Sequence, residues 1–356
     1  MKINTKLNAL KRIVGVAAVA APTKTTLPCL NCLHISFKEG SLVARASNMR
    51  TFVVARCEAH GEQETAFGVP AVLLDHFLSN CTAEDVEIEV SQQAEFRCGS
   101  SVTRLSIADM TDFPTTPAVE PMKSFDWDSA ALRTAIGKVL HAAAEPNDTD
   151  PRPLASICFD FSDALDIVAT DAKQVAAYTL PIPGDGRFLV PRESASTLLK
   201  LLDATDGKIA VVLGEKSASF SGSDWTYLSV LMAGGFPPWK SVVTEGMPAI
   251  SMVRSDLIRA VRSALPFGME AGFTRVELVG KDKTLTVHSG LANAMDTTIT
   301  AEFDGEIKMA VEGRRLMSLV SALEGENVVI KFDDVPGHGI IMREENFMGI
   351  IMPLRK

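Results

Sequence analysis

The chain reads as an α+β protein built from three tandem copies of one module, each with two helices and an antiparallel sheet. Three observations predict this. Val69-Pro70, Val190-Pro191 and Val311 each open an apolar stretch of helical spacing, and they lie 121 residues apart both times. Solenoid and propeller repeats run only about 20–50 residues, so a period this long means copies of a whole domain. An apolar–basic pair recurs earlier in each copy, at Leu10-Lys11, Leu132-Arg133 and Ile258-Arg259. The copies then close on Phe113-Pro114, Phe236-Pro237 and Met352-Pro353. Boundaries are expected at 1–120, 121–245 and 246–356, and each copy is large enough to bury its own core.

Taken in order, the elements follow one plan: helix, strands, helix, strands. In copy one the helices are expected over 5–15 and 70–81, the second carrying Leu73, Leu74, Phe77 and Leu78. In copy two, Leu132, Ile136, Val139 and Leu140 set a helix over 129–144, with Ser129 as its N-cap after Asp128. Pro146 and the polar run 147–151 end it. Strands are expected over 157–161, 165–169, 174–180 and 188–190, before a helix over 191–203 that has Pro191 in its first turn. An antiparallel meander over 209–213, 217–221 and 227–231 follows. Copy three repeats the order, with helices over 255–265 and 312–324 and strands over 275–279, 284–288 and 297–303.

Composition narrows the function. With 46% hydrophobic and 22% charged residues, the chain is an ordinary globular protein. No apolar run approaches the 18 or so residues of a membrane span, and no signal peptide precedes Lys6. Six cysteines in a chain of this length do not form a disulfide scaffold, which points to a reducing cytoplasm. The net charge of −9 argues against nucleic acid, but its distribution argues otherwise. The six predicted helices carry +5 and everything else −14. Either helix surfaces simply attract Lys and Arg, or the six helices line one basic surface on an acidic body, suited to a polyanion through phosphate contacts.

Other motifs carry little chemistry. Cys29-Leu30-Asn31-Cys32, followed by His34, is a CxxC without a second ligand pair, and residues 29–35 look strand-like. Neither a HExxH pair nor a phosphate loop occurs, and no nucleophile–base pair stands out. No cofactor or metal is implied, and the chain reads as a non-enzyme. An enzyme on a threefold scaffold stays open as an alternative, and would need a deep pocket with perturbed ionisable groups.

These residues resemble a known family, the bacterial β sliding clamps, processivity subunits of DNA polymerase III. The resemblance spans the chain and is carried by Thr26-Leu27-Pro28-Cys29-Leu30, Ala169-Thr170-Asp171, Val190-Pro191-Arg192, Gly235-Phe236-Pro237 and the terminal Ile350-Ile351-Met352-Pro353-Leu354-Arg355. It implies a DNA clamp fold in which two three-domain protomers close head to tail, with helices inside around duplex DNA and sheets outside. It implies partners that dock short peptides: the replicative polymerase, the clamp loader and repair proteins. The implied peptide groove comprises Leu154, Thr170, Ala172, Lys173, Gln174, Val175, Pro237 and Val242. Ile350, Ile351, Met352, Pro353, Leu354 and Arg355 complete it. The family usually carries Gly-His-Arg-Leu at Ala172-Lys173-Gln174-Val175, so a divergent clamp-fold paralogue from a phage or plasmid is a further reading. Lys24 matches a DNA-contacting arginine of the family, and Arg152-Pro153 replaces its DNA-contacting tyrosines. With the helical cations, the DNA-facing set is Lys11, Arg12, Lys24, Arg133, Lys138, Arg152, Arg259 and Arg262. The protomer interface is expected where Leu105 and Ile107 of one copy meet Leu265 and Phe267 of the other.

Overall fold

The computed structural model describes residues 1–146, 153–270, 272–303, 305–332, 335 and 337–354. Arg152 and Arg355, both expected at functional surfaces, lie outside the described residues, as does most of the polar run after Pro146.

Each copy begins with a strand that the sequence pattern did not announce. Copy one runs β1 (Lys2–Lys6), α1 (Leu7–Ala18), β2 (Cys32–Lys38), β3 (Ser41–Ser47), β4 (Thr51–Glu58), β5 (His60–Gly61), β6 (Thr65–Pro70), α2 (Ala71–Ser79), β7 (Asp85–Val90), β8 (Gln93–Cys98) and β9 (Ser101–Ser106). Copy two runs β10 (Lys123–Asp128), α3 (Ser129–Val139), β11 (Ser156–Phe161), β12 (Leu165–Thr170), β13 (Gln174–Leu180), β14 (Gly186–Pro191), α4 (Arg192–Asp203), β15 (Lys208–Leu213), β16 (Ser217–Ser221) and β17 (Trp225–Val230). Copy three runs β18 (Ala249–Val253), α5 (Arg254–Ala264), β19 (Met269–Glu270), β20 (Phe273–Lys281), β21 (Thr284–Ser289), β22 (Met295–Thr300), β23 (Glu306–Glu312), α6 (Gly313–Ala322), β24 (Asn327–Lys331), β25 (Ile340–Arg343) and β26 (Phe347–Ile351). Val69, Val190 and Val311 are each the next-to-last residue of a strand, two residues before a helix begins, which is the physical content of the 121-residue period.

Several local expectations are corrected. Asp128, not Ser129, caps α3: its Oδ1 accepts from the Ala131 amide at 2.8 Å, while the Ser129 hydroxyl donates to the Thr205 carbonyl at 2.9 Å. Pro28–Asn31 forms a 3-10 turn and the strand starts only at Cys32, because Pro28 at the first turn position fixes φ. In copy three the fourth helical residue, equivalent to Leu10 and Leu132, is the buried Leu257; Ile258 is half-buried and the basic residue falls one position later.

Helices α1, α2, α5 and α6 cover sheet faces through apolar stripes. In α1, Leu7, Leu10, Ile13, Val14 and Ala17 are buried, the spacing of one helical face, against β3, β4 and α2. In α6, Leu316, Leu319 and Val320 are buried, and the helix packs on β20, β23 and β26. Fully burying such a side chain contributes about 1.5–3 kcal/mol.

The sheets do not follow the copies. Four strands of copy two and four of copy one form one eight-stranded sheet, β10-β15-β16-β17-β4-β3-β2-β6. The other half of copy two joins copy three in β14-β11-β12-β13-β26-β25-β24-β18. Two five-stranded sheets remain, β5-β1-β7-β8-β9 and the β19–β23 group, in which β22 is an edge. Compactness divides the chain accordingly, into Met1–Arg133 with Ser196–Leu231, and Thr134–Ala195 with Met232–Lys356. Each unit contains one eight-stranded and one five-stranded sheet. No described helix is long and apolar enough to cross a membrane.

Candidate functional site

The second unit holds the residues expected to bind peptides. Antiparallel pairing of β13 with β26 sets Val175 opposite Ile350 and Gln174 opposite Ile351. Gly349 between them faces α6: a Cβ there would collide with the Leu319 side chain, so only glycine allows the helix this close. Neighbours in a strand alternate, so Met348 and Ile350 point to the opposite face. That face carries an apolar cluster of Val175, Ala177, Leu189, Ile341 and Ile350, roofed by Phe236, Trp239 and Met247. Met232, Val242, Val243 and Met348 pack against it and stay half-buried. Val175, Val242 and Ile350 were expected here; Met348 joins them from β26, and Met232, Trp239 and Val243 join them from the irregular segment between β17 and β18.

The β12–β13 hairpin shapes one edge. Thr170 Oγ1 accepts from the Ala172 amide at 3.1 Å and donates to the Gln174 carbonyl at 2.6 Å. Asp171 Oδ1 accepts from the amides of Lys173 and Gln174 at 2.8 and 2.9 Å. Ala172 is held at φ 68°, a left-handed conformation that costs a residue with a Cβ about 1–2 kcal/mol. Ser47-Asn48-Met49 builds the same turn in copy one: the Ser47 hydroxyl accepts from the Met49 amide at 3.0 Å, Asn48 Oδ1 from those of Arg50 and Thr51, and Met49 has φ 72°. The tail is tied to this structure. The Met352 amide donates to the Lys173 carbonyl at 2.8 Å and the Leu354 amide to the Ala310 carbonyl at 2.8 Å, leaving Met352, Pro353 and Leu354 half-buried. Leu154 and Pro237 are half-buried, Thr170 and Ile351 buried, and Ala172 and Lys173 exposed.

A second feature opens on the helix side of the same hairpin: a cleft of about 470 Å³ lined by the 141–145 segment, Asp171, Lys173, Gln174, Arg192, Phe273 and the first turns of α6. Its carboxylates are engaged. Asp171 Oδ2 accepts from Arg315 Nε and Nη2, both at 2.9 Å. Glu145 pairs with Arg192 at 2.6 Å, and Glu312 caps α6 by accepting from the Arg315 amide at 2.8 Å. Burial pushes the His141 imidazole below its usual range, so it is neutral at pH 7. Sequence reasoning missed Arg192, Arg314 and Arg315 as a group, since they come from two helices well apart in the chain.

The basic residues expected to face DNA divide by their neighbours. Lys11 donates to the Cys81 carbonyl at 2.8 Å, at the end of α2. Arg12 grips Asp224 through Nε and Nη2, and that hydrogen bond holds the Asp224 carboxyl below its usual range. Lys138, largely buried, bridges Glu324 at 3.1 Å and Glu344 at 3.2 Å beside the Phe347 ring. Arg133 keeps only a loose contact to Asp203, at 3.6 Å, and Arg259 an exposed one to Asp256. Lys24 and Arg262 are exposed. At the expected protomer interface, Leu105 is buried under the β9 edge, Ile107 and Leu265 are half-buried, and Phe267 is 43% exposed.

Cys29 and Cys32 are buried free thiols, and burial pushes the Cys32 thiol up. Among the described residues no cluster of three or more His, Cys, Asp or Glu side chains could hold a metal.

Against this geometry, the chain is similar along its length to bacterial β sliding clamps. It is 22% identical to that of Vibrio cholerae, covering 93% of both chains, and 22% identical to that of Pseudomonas aeruginosa, covering 100% of both. No family model matches. The fold is that of solved clamps. A Pseudomonas aeruginosa sliding clamp bound to griselimycin superposes with a TM-score of 0.91 at 20% identity over 100% of both chains. The DNA polymerase III β subunit of Thermotoga maritima does so with a TM-score of 0.92 at 20% identity, over 100% of this chain and 99% of that one.

Proposed function

We propose that this chain is a DNA sliding clamp, a non-enzymatic processivity factor. It closes head to tail with a second copy, encircles duplex DNA and tethers the replicative polymerase and other partners by short peptides. One observation carries the reading: the copies join by a single strand-pairing rule, and the rule leaves two strands over. Copy two's β17 pairs copy one's β4 with Tyr227 opposite Val53, and copy three's β26 pairs copy two's β13 with Gly349 opposite Ala176. The hairpin registers make Tyr227 and Gly349 equivalent, as they do Val53 and Ala176. Among the described residues, the strands left without such a neighbour are β9 of copy one and β22 of copy three. The same rule, applied between two protomers, sets Thr103 opposite Met295 and Ser101 opposite Thr297. Bare strand edges seek partners, and exposed Val102 and Phe267 supply burial beside this one.

A closed ring cannot leave DNA sideways, so weak phosphate contacts suffice and permit sliding. Lys24, Arg133, Arg259 and Arg262 suit that role, with Arg12 and Arg152 adding to it, whereas Lys11 and Lys138 serve chiefly inside the protein. Peptides would anchor apolar side chains on Val242, Val243, Met348 and the tail.

The test is a pair of cysteine substitutions. Thr103→Cys with Met295→Cys should give, on mild oxidation, a covalent dimer retained on nicked circular duplex and released when the circle is linearised. The off-register pair Thr103→Cys with Asp296→Cys should not cross-link. Cross-linking of the second pair in place of the first would sink the pairing rule; a cross-linked dimer lost from the intact circle would sink the clamp reading.

A further inference from the structure

We infer that the first unit's eight-stranded sheet docks an acidic peptide of a partner protein over β17, β4 and β3, held by a carboxylate on Arg45 and by an apolar side chain in the gap beside it. This is a site beyond the clamp reading, and it stands on strand registers and charge alone.

The registers of the two units match rung for rung. One row of cross-strand partners runs Thr226, Val54, Arg45, His34 and Gly68 over β17, β4, β3, β2 and β6. Its equivalent in the second unit runs Met348, Ala177, Val168, Cys158 and Leu189 over β26, β13, β12, β11 and β14. Cross-strand partners point to one face of a sheet. The second row therefore floors the apolar cluster described above, and the first floors the same place in the other unit. Where the second row carries Val168, the first carries Arg45.

Nothing in the protein answers that charge. Arg45 is half-buried, its Nη1 donates to the Ser36 hydroxyl at 2.8 Å, and it forms no ion pair among the described residues. Burial pushes its guanidinium down from the usual range, with no neighbouring carboxylate to oppose the shift. Its fork of five N–H donors has one bond inside the protein, and its planar shape matches a carboxylate. The adjacent His34 stacks on Phe113, with ring centroids 5.5 Å apart. Burial and the Arg45 charge keep the His34 imidazole neutral at pH 7, so it adds no second cation.

The rest of the ligand follows from the same face. Thr226, two strands from Arg45, borders a gap of about 270 Å³ whose apolar walls include Phe52, Leu228, Pro117 and Val119. Two strand spacings are about 10 Å, the length of about three extended residues. A peptide with glutamate three positions before leucine would reach both. A nucleic-acid strand would bring phosphate to one cation and nothing apolar to the gap. A free carboxylate would leave the gap empty.

The experiment follows anisotropy of fluorescein-labelled Gly-Glu-Ser-Ser-Leu-Gly with the full-length protein at fixed salt. The peptide with glutamine in place of glutamate should bind about tenfold more weakly, as expected for a charge-assisted pair. Arg45→Met should bind both peptides equally, at the weaker affinity. Val119→Trp, which fills the gap, should weaken the glutamate peptide by a similar factor. Thermal melts confirm that both variants fold. Equal binding of the two peptides by the parent chain, or an undiminished preference for glutamate in Arg45→Met, would overturn the proposal. So would displacement of the probe by a dT decamer at lower concentration than by unlabelled peptide, or by free glutarate as readily as by the peptide. Arg45→Met should still be retained on nicked circular duplex. Loss of that retention would make Arg45 a DNA contact and overturn the docking site while leaving the clamp reading intact.

Discussion

Two strand pairings inside this chain, β17 on β4 and β13 on β26, share direction and register, yet they differ in what covers them. The first is crossed by Thr116, Pro117 and Val119, small side chains that leave a gap of about 270 Å³ over Phe52 and Leu228. Over the second, Phe236, Trp239 and Met247 are buried, and four half-buried apolar residues border them. The sheet is therefore a common scaffold. The linker decides which seam gains an apolar cover, and that seam is the one proposed to bind apolar-anchored peptides.

The largest expected difference follows directly. Trp239→Ala should destabilise the protein by about 3–5 kcal/mol and remove binding of apolar-anchored peptides, because a large buried side chain leaves a cavity. Val119→Ala, at the other seam, should cost below about 1 kcal/mol. Urea titration measures both, and similar losses would break the comparison.

A third seam, proposed between protomers, extends the comparison to an interface without a covalent linker. Val102→Pro removes a backbone donor that β8 leaves unused on the β9 edge and should weaken dimerisation about a hundredfold, near the 3 kcal/mol typical of proline where the backbone must donate. Sedimentation equilibrium would show monomers at concentrations where the parent chain is dimeric; an unchanged dimer would place the interface elsewhere.

Acid should loosen both units through different residues. In the first, the Arg12 hydrogen bond depresses the Asp224 carboxyl. In the second, burial alone would raise Glu344, but the amides of Gly325 and Glu324 and the Lys138 ammonium outweigh it, and the net shift is downward. A carboxyl depressed in the folded state contributes stability that is full above its unfolded pKa, about pH 4–4.5, and lost as pH falls through the folded value. Stability measured from pH 6 to 3 should therefore fall below about pH 4.5. Asp224→Asn and Lys138→Met should each flatten that fall, and an unaltered profile in either would remove its pair from the account.

The smallest effect sharpens the likeness of the two hairpins. Ala172→Gly and Met49→Gly should each raise stability, by about 0.5–1 kcal/mol, since glycine takes positive φ without the Cβ penalty. Destabilisation at either position, read from thermal melts, would mean that the side chain is needed there.

The fold was legible because its period was carried by residues with one physical job: Val69, Val190 and Val311 each end a core strand just before a helix. The opening strands of the copies were not, because β1 and β10 are short, partly polar segments that gain partners only from strands far along the chain, β5 and β7 for the first and β15 for the second. The groove was half legible. Val175 and Ile350 belong to apolar strands, whereas the place of Trp239 depends on how an irregular linker folds back. Lys11 and Lys138 show the limit of reading charge along a helix. A cation on a helix can face phosphate or close an ion pair inside the protein, and only the neighbours Cys81, Glu324 and Glu344 decide.

Copy two joins each neighbour through one strand, β17 to copy one and β13 to copy three. Those two joints are tethered, so their partner is present at the high effective concentration of a linked chain and they do not respond to dilution. The proposed joint of β9 with β22 has no tether and obeys mass action, its occupancy rising with the number of molecules in solution. A ring assembled this way can be opened only where two polypeptides meet, and any factor that threads DNA through it has two equivalent doors and no others.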